Sequence, residues 1–593
     1  MHNHWTKLMA FALLALTMGA AAHGPNHGAA QAVRVDSNSE ASTDALDQEM
    51  ANDNIYKAYF PSLVIARKAA ISFHNQLLEA NYEAGYLVLE LTGDEITELK
   101  KFNFRFERAT DFIAEREEVL SMMKREMAKR VESEKAAAID GQKATIPTIP
   151  GYSCYETVEG TNTVADGFVT TYPSLANIAV IGTSWQKANS LGGYDLRVLK
   201  LTNSAMPGPK PTLFIQSAIH AREYATAPLV LEFARWLTSG YGTVADATWI
   251  LDHHEVHLLL QANPDGRKKA ETGLSWCKNT NTNYCGPTSN NRGADLNRNF
   301  TYSWNSTGGT GSSGNECDIT YRGIGPASEP EVQAIENYVR SLWPDQRGTA
   351  IGDAAPSTTS GIHLDIHSYA QLVLWPWGTT TTPSGNATAL QTLGRKFAYF
   401  NGYTPQQSIG LYATDGTSES VSYGELGVPQ FTIELGTAFF QSCSSYNNTI
   451  KPNNLAALKY AAKVVRAPYI TPAGPDVTSL SLAGTASTAG VIAGTNVTLT
   501  GTVSDARFNN SNGTEATQTI AAAEYYVDVP HWSPGAVANA LAASDGSFGS
   551  VTENITGTIS TTGLSVGKHI VYVRSKDQSG AWGSVSAVFL VIR

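Results

Sequence analysis

Between residues 151 and 470, apolar runs of strand length alternate with amphipathic helical stretches, and this alternation most limits what the chain can fold into. Strand candidates are Pro211–Ser217 (PTLFIQS), Glu255–Gln261 (EVHLLLQ), Ile362–His367 and Pro429–Glu434. Helix candidates are Ala227–Ser239, Glu329–Trp343 and Asn454–Ala467; in the first, Leu229, Phe233, Trp236 and Leu237 form one apolar face that ends at Gly240. Strands that alternate with helices form sheets covered on both faces. The expectation is an α/β domain, an α/β/α sandwich with a mixed or largely parallel sheet, over residues 150–470.

The texture differs on either side. After the spacer Pro472–Pro475, residues 476–593 are rich in Ser, Thr, Gly and Val, with strand-like runs Val497–Val503, Ala523–Val529 and His569–Arg574 and no helical period. This predicts an all-β, immunoglobulin-like sandwich. Before the central region, Tyr86–Leu91 (YLVLEL), a turn at Thr92-Gly93-Asp94 and a helix through Leu99 mark a small α+β unit. A charged helix follows to about Lys135, and Ala136–Pro150 reads as an exposed, cleavable linker.

At the N-terminus, Lys7 precedes the apolar run Leu8–Ala22, which ends in small residues. The run is short for a membrane span and suited to a secretory signal. Residues 1–22 are therefore expected to be a signal peptide and 23–145 a pro-segment, with the mature protein secreted and without a membrane span. The five cysteines then belong to an oxidising compartment, and an odd count leaves one thiol over. The formal charge of -11, with no Lys/Arg stripe outside the mixed-sign stretch Met123–Lys135, excludes nucleic acid as an expected partner.

His220 and Glu223 sit three apart just past the strand PTLFIQS, where an imidazole and a carboxylate can converge on one cation. Alone, the pair is a weak signal and reads more readily as a surface His and Glu on one helical turn. It is followed in order by Asn297-Arg298-Asn299-Phe300, Ile366-His367-Ser368-Tyr369 and Phe431-Thr432-Ile433-Glu434-Leu435. With Asn263-Pro264-Asp265-Gly266 and Gln371–Gly378, this set closely resembles the carboxypeptidase A/B family of zinc metallocarboxypeptidases across about residues 150–470.

The resemblance implies one zinc held by His220, Glu223 and His367, with Asp295 behind a ligating histidine. Glu434 becomes the general base/acid toward a zinc-activated water; by itself it would read as an ion-paired residue ending an edge strand. Asn297 and Arg298 match the pair that binds the terminal carboxylate of a substrate, and a guanidinium fork suits that task. Arg222 matches a subsite arginine. Tyr412, 22 residues before Glu434, matches a tyrosine that closes over substrate. Glu419, 15 residues before Glu434, falls at the floor of the pocket for the departing side chain, where an acid favours Lys or Arg; the alternative is a solvent-facing Glu419. Cys285 and Cys317 flank the Asn-Arg motif as a family disulfide does, which leaves Cys154 to Cys443.

One position departs from the family pattern. Cys277 stands where an arginine would polarise the scissile carbonyl, and Lys278 or Arg292 are the candidate substitutes. His363, four residues before His367, and His253, His254 and His257 read as structural. The expected function is a secreted carboxypeptidase acting on peptides and proteins as a monomer. Its rivals are a cell-wall stem peptidase and a weakly active, zinc-retaining binding protein whose C-terminal domain holds a cell-surface or polymeric ligand.

Overall fold

The computed structural model of the protein describes residues 54–140 and 146–593, apart from residues 74, 75 and 83. The expected signal segment 1–22 lies outside the described residues. No helix among them is long and apolar enough to cross a membrane.

Residues 54–140 contain β1 (Ile55–Tyr59), a helix Leu63–Ser72, β2 (Leu77–Asn81), β3 (Tyr86–Glu90), a helix Gly93–Lys100 and β4 (Arg105–Arg108). The strands pair antiparallel in the order β2-β3-β1-β4. The Thr92-Gly93-Asp94 turn is a helix cap: Thr92 Oγ1 accepts from the Glu95 N–H, and the Glu95 carboxylate accepts from the Thr92 N–H at 2.7 Å. Two otherwise open amides are thus satisfied together. The charged helix runs Thr110–Asp140, beyond the expected end at Lys135. Ala136–Ala138, read as linker, continue it because alanine is the strongest helix former.

A short ladder of β5 (Thr148–Ile149) and β6 (Tyr152–Glu156) leads into an eight-stranded mixed sheet. Its strands are β7 (Ala176–Thr183), β8 (Asp195–Leu201), β9 (Thr212–Ser217), β10 (Glu255–Leu259), β11 (Ile362–His367), β12 (Leu372–Trp375), β13 (Thr404–Gln407) and β14 (Gln430–Glu434), in the order β13-β12-β14-β11-β9-β10-β8-β7. The central β10, β9, β11 and β14 are mutually parallel, whereas β12 and β8 run against them. Helices cover both faces: Thr226–Gly240, Ala387–Asn401 and Lys451–Val464 pack on one, and Pro330–Leu342 packs on the other. Because successive strand residues face opposite ways, Ile362, Leu364 and Ile366 enter the first core, while His363, Asp365 and His367 share the other face. The disulfides Cys154–Cys443 and Cys285–Cys317 both form, and Cys277 is a buried free thiol.

Residues 476–593 form an antiparallel seven-stranded β domain: β15 (Asp476–Leu482), β16 (Asn496–Ser504), β17 (Ile520–Val527), β18 (Asn539–Ala543), β19 (Thr552–Ser560), β20 (Gly567–Asp577) and β21 (Ser586–Ile592). β18 pairs with both β17 and β19, joining the two halves. The domain is docked on the central one. Lys396, fully buried, pairs with Asp476 at 3.0 Å, and the Trp532 ring lies 5.7 Å from that of Trp249.

Candidate metal centre and substrate cleft

The parallel register of β9, β11 and β14 brings their carboxyl ends level, with Ile366 opposite Ser217 and His367 opposite Glu434. Beyond β9, Ala218 takes the left-handed backbone conformation (φ 56°) and turns the chain back. That conformation costs an L-residue roughly 1–2 kcal/mol, and such strain persists only where the surroundings impose it. Here the surroundings do. The fully buried Arg267 guanidinium donates to the carbonyls of Ala221, Glu223 and Tyr224 at 2.9–3.1 Å, and Asn263 Nδ2 donates to those of Ile219 and Lys278.

This clamp sets His220 and Glu223 beside His367. One donor atom from each of the three lies within 4.8 Å of the others. Glu223 Oε1 is 2.8 Å from His220 Nδ1, and its Oε2 is 3.3 Å from His367 Nδ1. Each imidazole turns its Nε2 outward to a buried carboxylate: His220 to Asp295 Oδ1 at 3.1 Å and His367 to Asp365 Oδ2 at 3.0 Å. Carboxylates in that position fix the ring orientation and tautomer of metal-binding histidines. Burial opposes charge on every member of this group. The imidazoles nonetheless hold Glu223 at about 2, and neighbouring carboxylates (Glu223 and Asp295 for His220; Asp365 and Glu223 for His367) raise both histidines well above their usual value.

Glu434, at the end of β14, faces the same cluster, and burial lifts its carboxyl to about 7, the His367 charge opposing and that of Glu223 assisting. Asn297 and Arg298 lie on a short turn capped by Asp295, whose side chain accepts from the Asn297 N–H. The Asn297 amide is engaged at both ends, with Nδ2 3.2 Å from His367 Nε2 and Oδ1 accepting from the Ser418 N–H at 2.9 Å. Arg298 donates through Nη1 to the Asn297 carbonyl and through Nη2 to the Tyr412 hydroxyl at 3.3 Å, so Tyr412 is folded inward. Glu419 is buried rather than solvent-facing; it accepts from the Gly378 N–H at 2.6 Å and from Ser408 Oγ at 2.8 Å. Arg222 lies 3.8 Å over the Phe439 ring and donates to Ser275 Oγ.

The candidate substitutes for the missing arginine are held elsewhere. Lys278 Nζ donates to the carbonyls of Glu316 and Asp318, and Arg292 lies over the Trp276 ring and donates to the Ser289 carbonyl. Adjacent residues leave the chain in different directions, and Lys278 follows the disulfide-linked loop. His363 bonds to Ser422 Oγ, His254 to the Ala462 carbonyl, and His257 to Glu255 and Tyr338; none joins the cluster. Asp365 and Arg267 were not singled out from sequence. The i, i+2 spacing of Asp365 and His367 on one strand was the available signal for the first.

The N-terminal unit lies against the cleft. Residue Glu79 of β2 bridges antiparallel to Ala438, and the Ala80 N–H donates to the Thr437 carbonyl at 3.3 Å, just past Glu434. Tyr369 and Phe439 belong to the apolar core of that unit. Its helix Leu63–Ser72 presents Val64, Arg67 and Lys68 across a cavity of about 490 Å³ from Ile409–Tyr412.

Residues 161–456 match the zinc carboxypeptidase family. The chain is 33% identical over 306 residues to a zinc carboxypeptidase of Saccharothrix mutabilis subsp. capreolus, spanning 50% of this chain and 65% of that one. It is 29% identical over 338 residues to carboxypeptidase A1 of Mus musculus, covering 54% of this chain and 72% of the mouse protein. Among solved structures it resembles the carboxypeptidase A of Helicoverpa armigera in fold, with a TM-score of 0.51 and 21% identity over 71% of this chain and 98% of that one.

Proposed function

Residues 161–456 place this chain in the zinc carboxypeptidase family, of the A/B type, and on that footing we propose that it is an exported metallocarboxypeptidase that removes one C-terminal residue at a time from peptides and proteins. The observation that carries the reading is the two-histidine, one-carboxylate cluster of His220, Glu223 and His367, backed by Asp295 and Asp365, with Glu434 beside it. Two imidazoles and a carboxylate are the donor set a catalytic zinc takes while keeping a position open. Zinc bound there supplies a Lewis acid for the scissile carbonyl and lowers the pKa of the attacking water.

The remaining work falls to the chain itself. Glu434 Oε accepts a proton from the attacking water and returns it to the departing amine. Arg298 receives the terminal carboxylate once Tyr412 releases it, and Tyr412 closes over the bound residue. Glu419 faces the departing side chain and selects Lys or Arg, since a buried carboxylate without a cationic partner costs free energy that such a side chain offsets.

Residues 54–140 act as an inhibitory pro-segment, a reading supported by the contact of β2 with Thr437 and Ala438 and by Tyr369 and Phe439 within its core. Release follows cleavage within about Ala136–Pro150. The two disulfides agree with export. The test is digestion of a peptide ladder and of a cell-wall stem peptide by the processed protein, with and without chelator, read by mass spectrometry. Stepwise single-residue loss abolished by chelator is expected. Cleavage of the stem peptide alone, or no loss at all, overturns the reading.

A further inference from the structure

Residues 403–412 run from the C-terminal β domain to the substrate cleft. At one end lies β13, an edge strand whose ladder partner is β12. Its outer side is gripped by a loop of the β domain: Asn509 Nδ2 donates to the Tyr403 carbonyl at 2.9 Å and Asn512 Nδ2 to the Pro405 carbonyl at 3.1 Å. The same loop is fixed to the helix Ala387–Asn401. The Asn509 N–H donates to the Arg395 carbonyl at 3.0 Å, and Arg395 donates through Nη1 to Glu515 at 2.6 Å and through Nη2 to the Asn512 carbonyl at 3.1 Å. Gly513 permits this approach. It has φ 97°, and a Cβ there would lie 2.5 Å from Arg395 Nη2.

At the other end the same residues reach the cleft. Gln407 Nε2 donates to the carbonyls of Trp377 and Thr380, Ser408 Oγ donates to Glu419 Oε2 at 2.8 Å and lies 3.0 Å from the Trp375 carbonyl, and Tyr412 accepts from Arg298. An edge strand leaves one row of N–H and C=O groups without a ladder partner, and here the loop supplies donors to that row. Two residues separate Pro405, under the loop, from Ser408, on Glu419. The buried pair Lys396–Asp476 and the Trp532 contact keep the β domain from drifting, so the loop is an anchored support.

We propose that the loop 509–515 is a positioning element for substrate selection: by bracing β13 it fixes Ser408, and through Ser408 the carboxylate of Glu419 that receives the departing side chain. The C-terminal domain is on this account part of the specificity machinery of the enzyme. The inference rests on the reading of Glu419 as the pocket floor.

The test uses full-length protein after processing, loaded with zinc, and compares Asn509→Ala/Asn512→Ala and Glu419→Gln with the parent on peptides ending in Arg and in Phe. For the double variant we expect KM for the Arg peptide to rise about fivefold, the scale of one or two hydrogen bonds. Its kcat should stay within about twofold of the parent, with zinc content unchanged and the Arg-over-Phe preference reduced. Should the double variant not fold, Glu515→Gln, which keeps the shape and removes the ion pair with Arg395, carries the same expectation. An unchanged KM and preference in a folded loop variant, with Glu419→Gln altering the preference, overturns the bracing role and leaves the pocket reading standing. If Glu419→Gln leaves the preference unchanged, the pocket reading falls and the proposal falls with it.

Discussion

Asp365 Oδ2 lies 3.0 Å from His367 Nε2, two positions away on the same strand, and so fixes the ring that presents Nδ1 to Glu223. Asp365 is fully buried and is itself held by Ser418 Oγ. It touches no substrate on this geometry and acts through the imidazole. Asp365→Asn is therefore expected to weaken zinc binding by about 10–100-fold. Competition against a chelator of known affinity measures it, and an affinity equal to the parent's counts against the role.

Glu434 is not a member of the donor cluster, and the role proposed for it is to act on water. Glu434→Gln should keep one zinc per chain and lose at least about 100-fold in kcat, the usual contribution of a general base. Metal analysis alongside steady-state kinetics decides. Loss of the metal would make Glu434 a ligand instead.

Glu419 accepts two hydrogen bonds and forms no ion pair among the described residues. Burial pushes its carboxyl above the usual range, while the Ser408 and Gly378 donors hold it back. A Lys or Arg side chain would supply the missing charge. Glu419→Ala should cut kcat/KM for basic C-terminal residues at least about tenfold and leave Phe nearly unchanged. Equal slowing of both is the result that speaks against a pocket role.

Much of this arrangement was legible because the chemistry sits at strand ends. The unbroken apolar run in PTLFIQS marks β9 and the alternation in IHLDIH marks β11; His220 and Glu223 follow the first, and His367 ends the second. What escaped has physical reasons. Arg267 lies on a helix whose sequence, PDGRKKA, looks like a solvated basic turn, and only the folded chain shows its guanidinium buried on the carbonyls of the 221–224 turn. The direction of Lys278 depends on a loop closed by a disulfide 32 residues in span, which no local pattern encodes. The loop 509–515, with Asn509, Asn510 and Asn512 before Gly513, reads as a plain turn, because its partners are main-chain carbonyls more than 100 residues away.

Glu331, fully buried, accepts from the Trp185 N–H at 2.6 Å, and burial together with the neighbouring Glu329 raises its carboxyl to about 8. In the unfolded chain it returns to the ordinary value of about 4.3. Between these values the folded protein binds the extra proton, so stability is full below about 4.3 and is lost as pH rises through about 8. The contribution falls by about 1.4 kcal/mol per pH unit across that window. Glu331→Gln should flatten the decline of Tm between pH 5 and 8 relative to the parent. Parallel curves for the two proteins would show that Glu331 does not titrate there.

Cys277 stands where the family resemblance implies a guanidinium, and the geometry closes off two replacements. Lys278 is tied to the Glu316 and Asp318 carbonyls, and Arg292 to Trp276 and Ser289. A buried thiol is a weak donor with no positive charge, and burial raises its pKa further. Losing one donor to a developing oxyanion costs about 100–1000-fold in turnover. Cys277→Arg is therefore expected to raise kcat at least about tenfold with little change in KM, a gain confined to the transition state. The larger side chain enters a packed site and should lower stability by about 1–3 kcal/mol, so rates are read per zinc-loaded molecule. An unchanged kcat would mean that another cation already serves. Arg222 is then the group to test: its Nη1 is 3.1 Å from Ser275 Oγ, and the neighbouring Ala221 N–H donates to the Cys277 carbonyl at 3.0 Å. Arg222→Lys, which keeps the charge and loses the fork, should in that case lower kcat more than it raises KM.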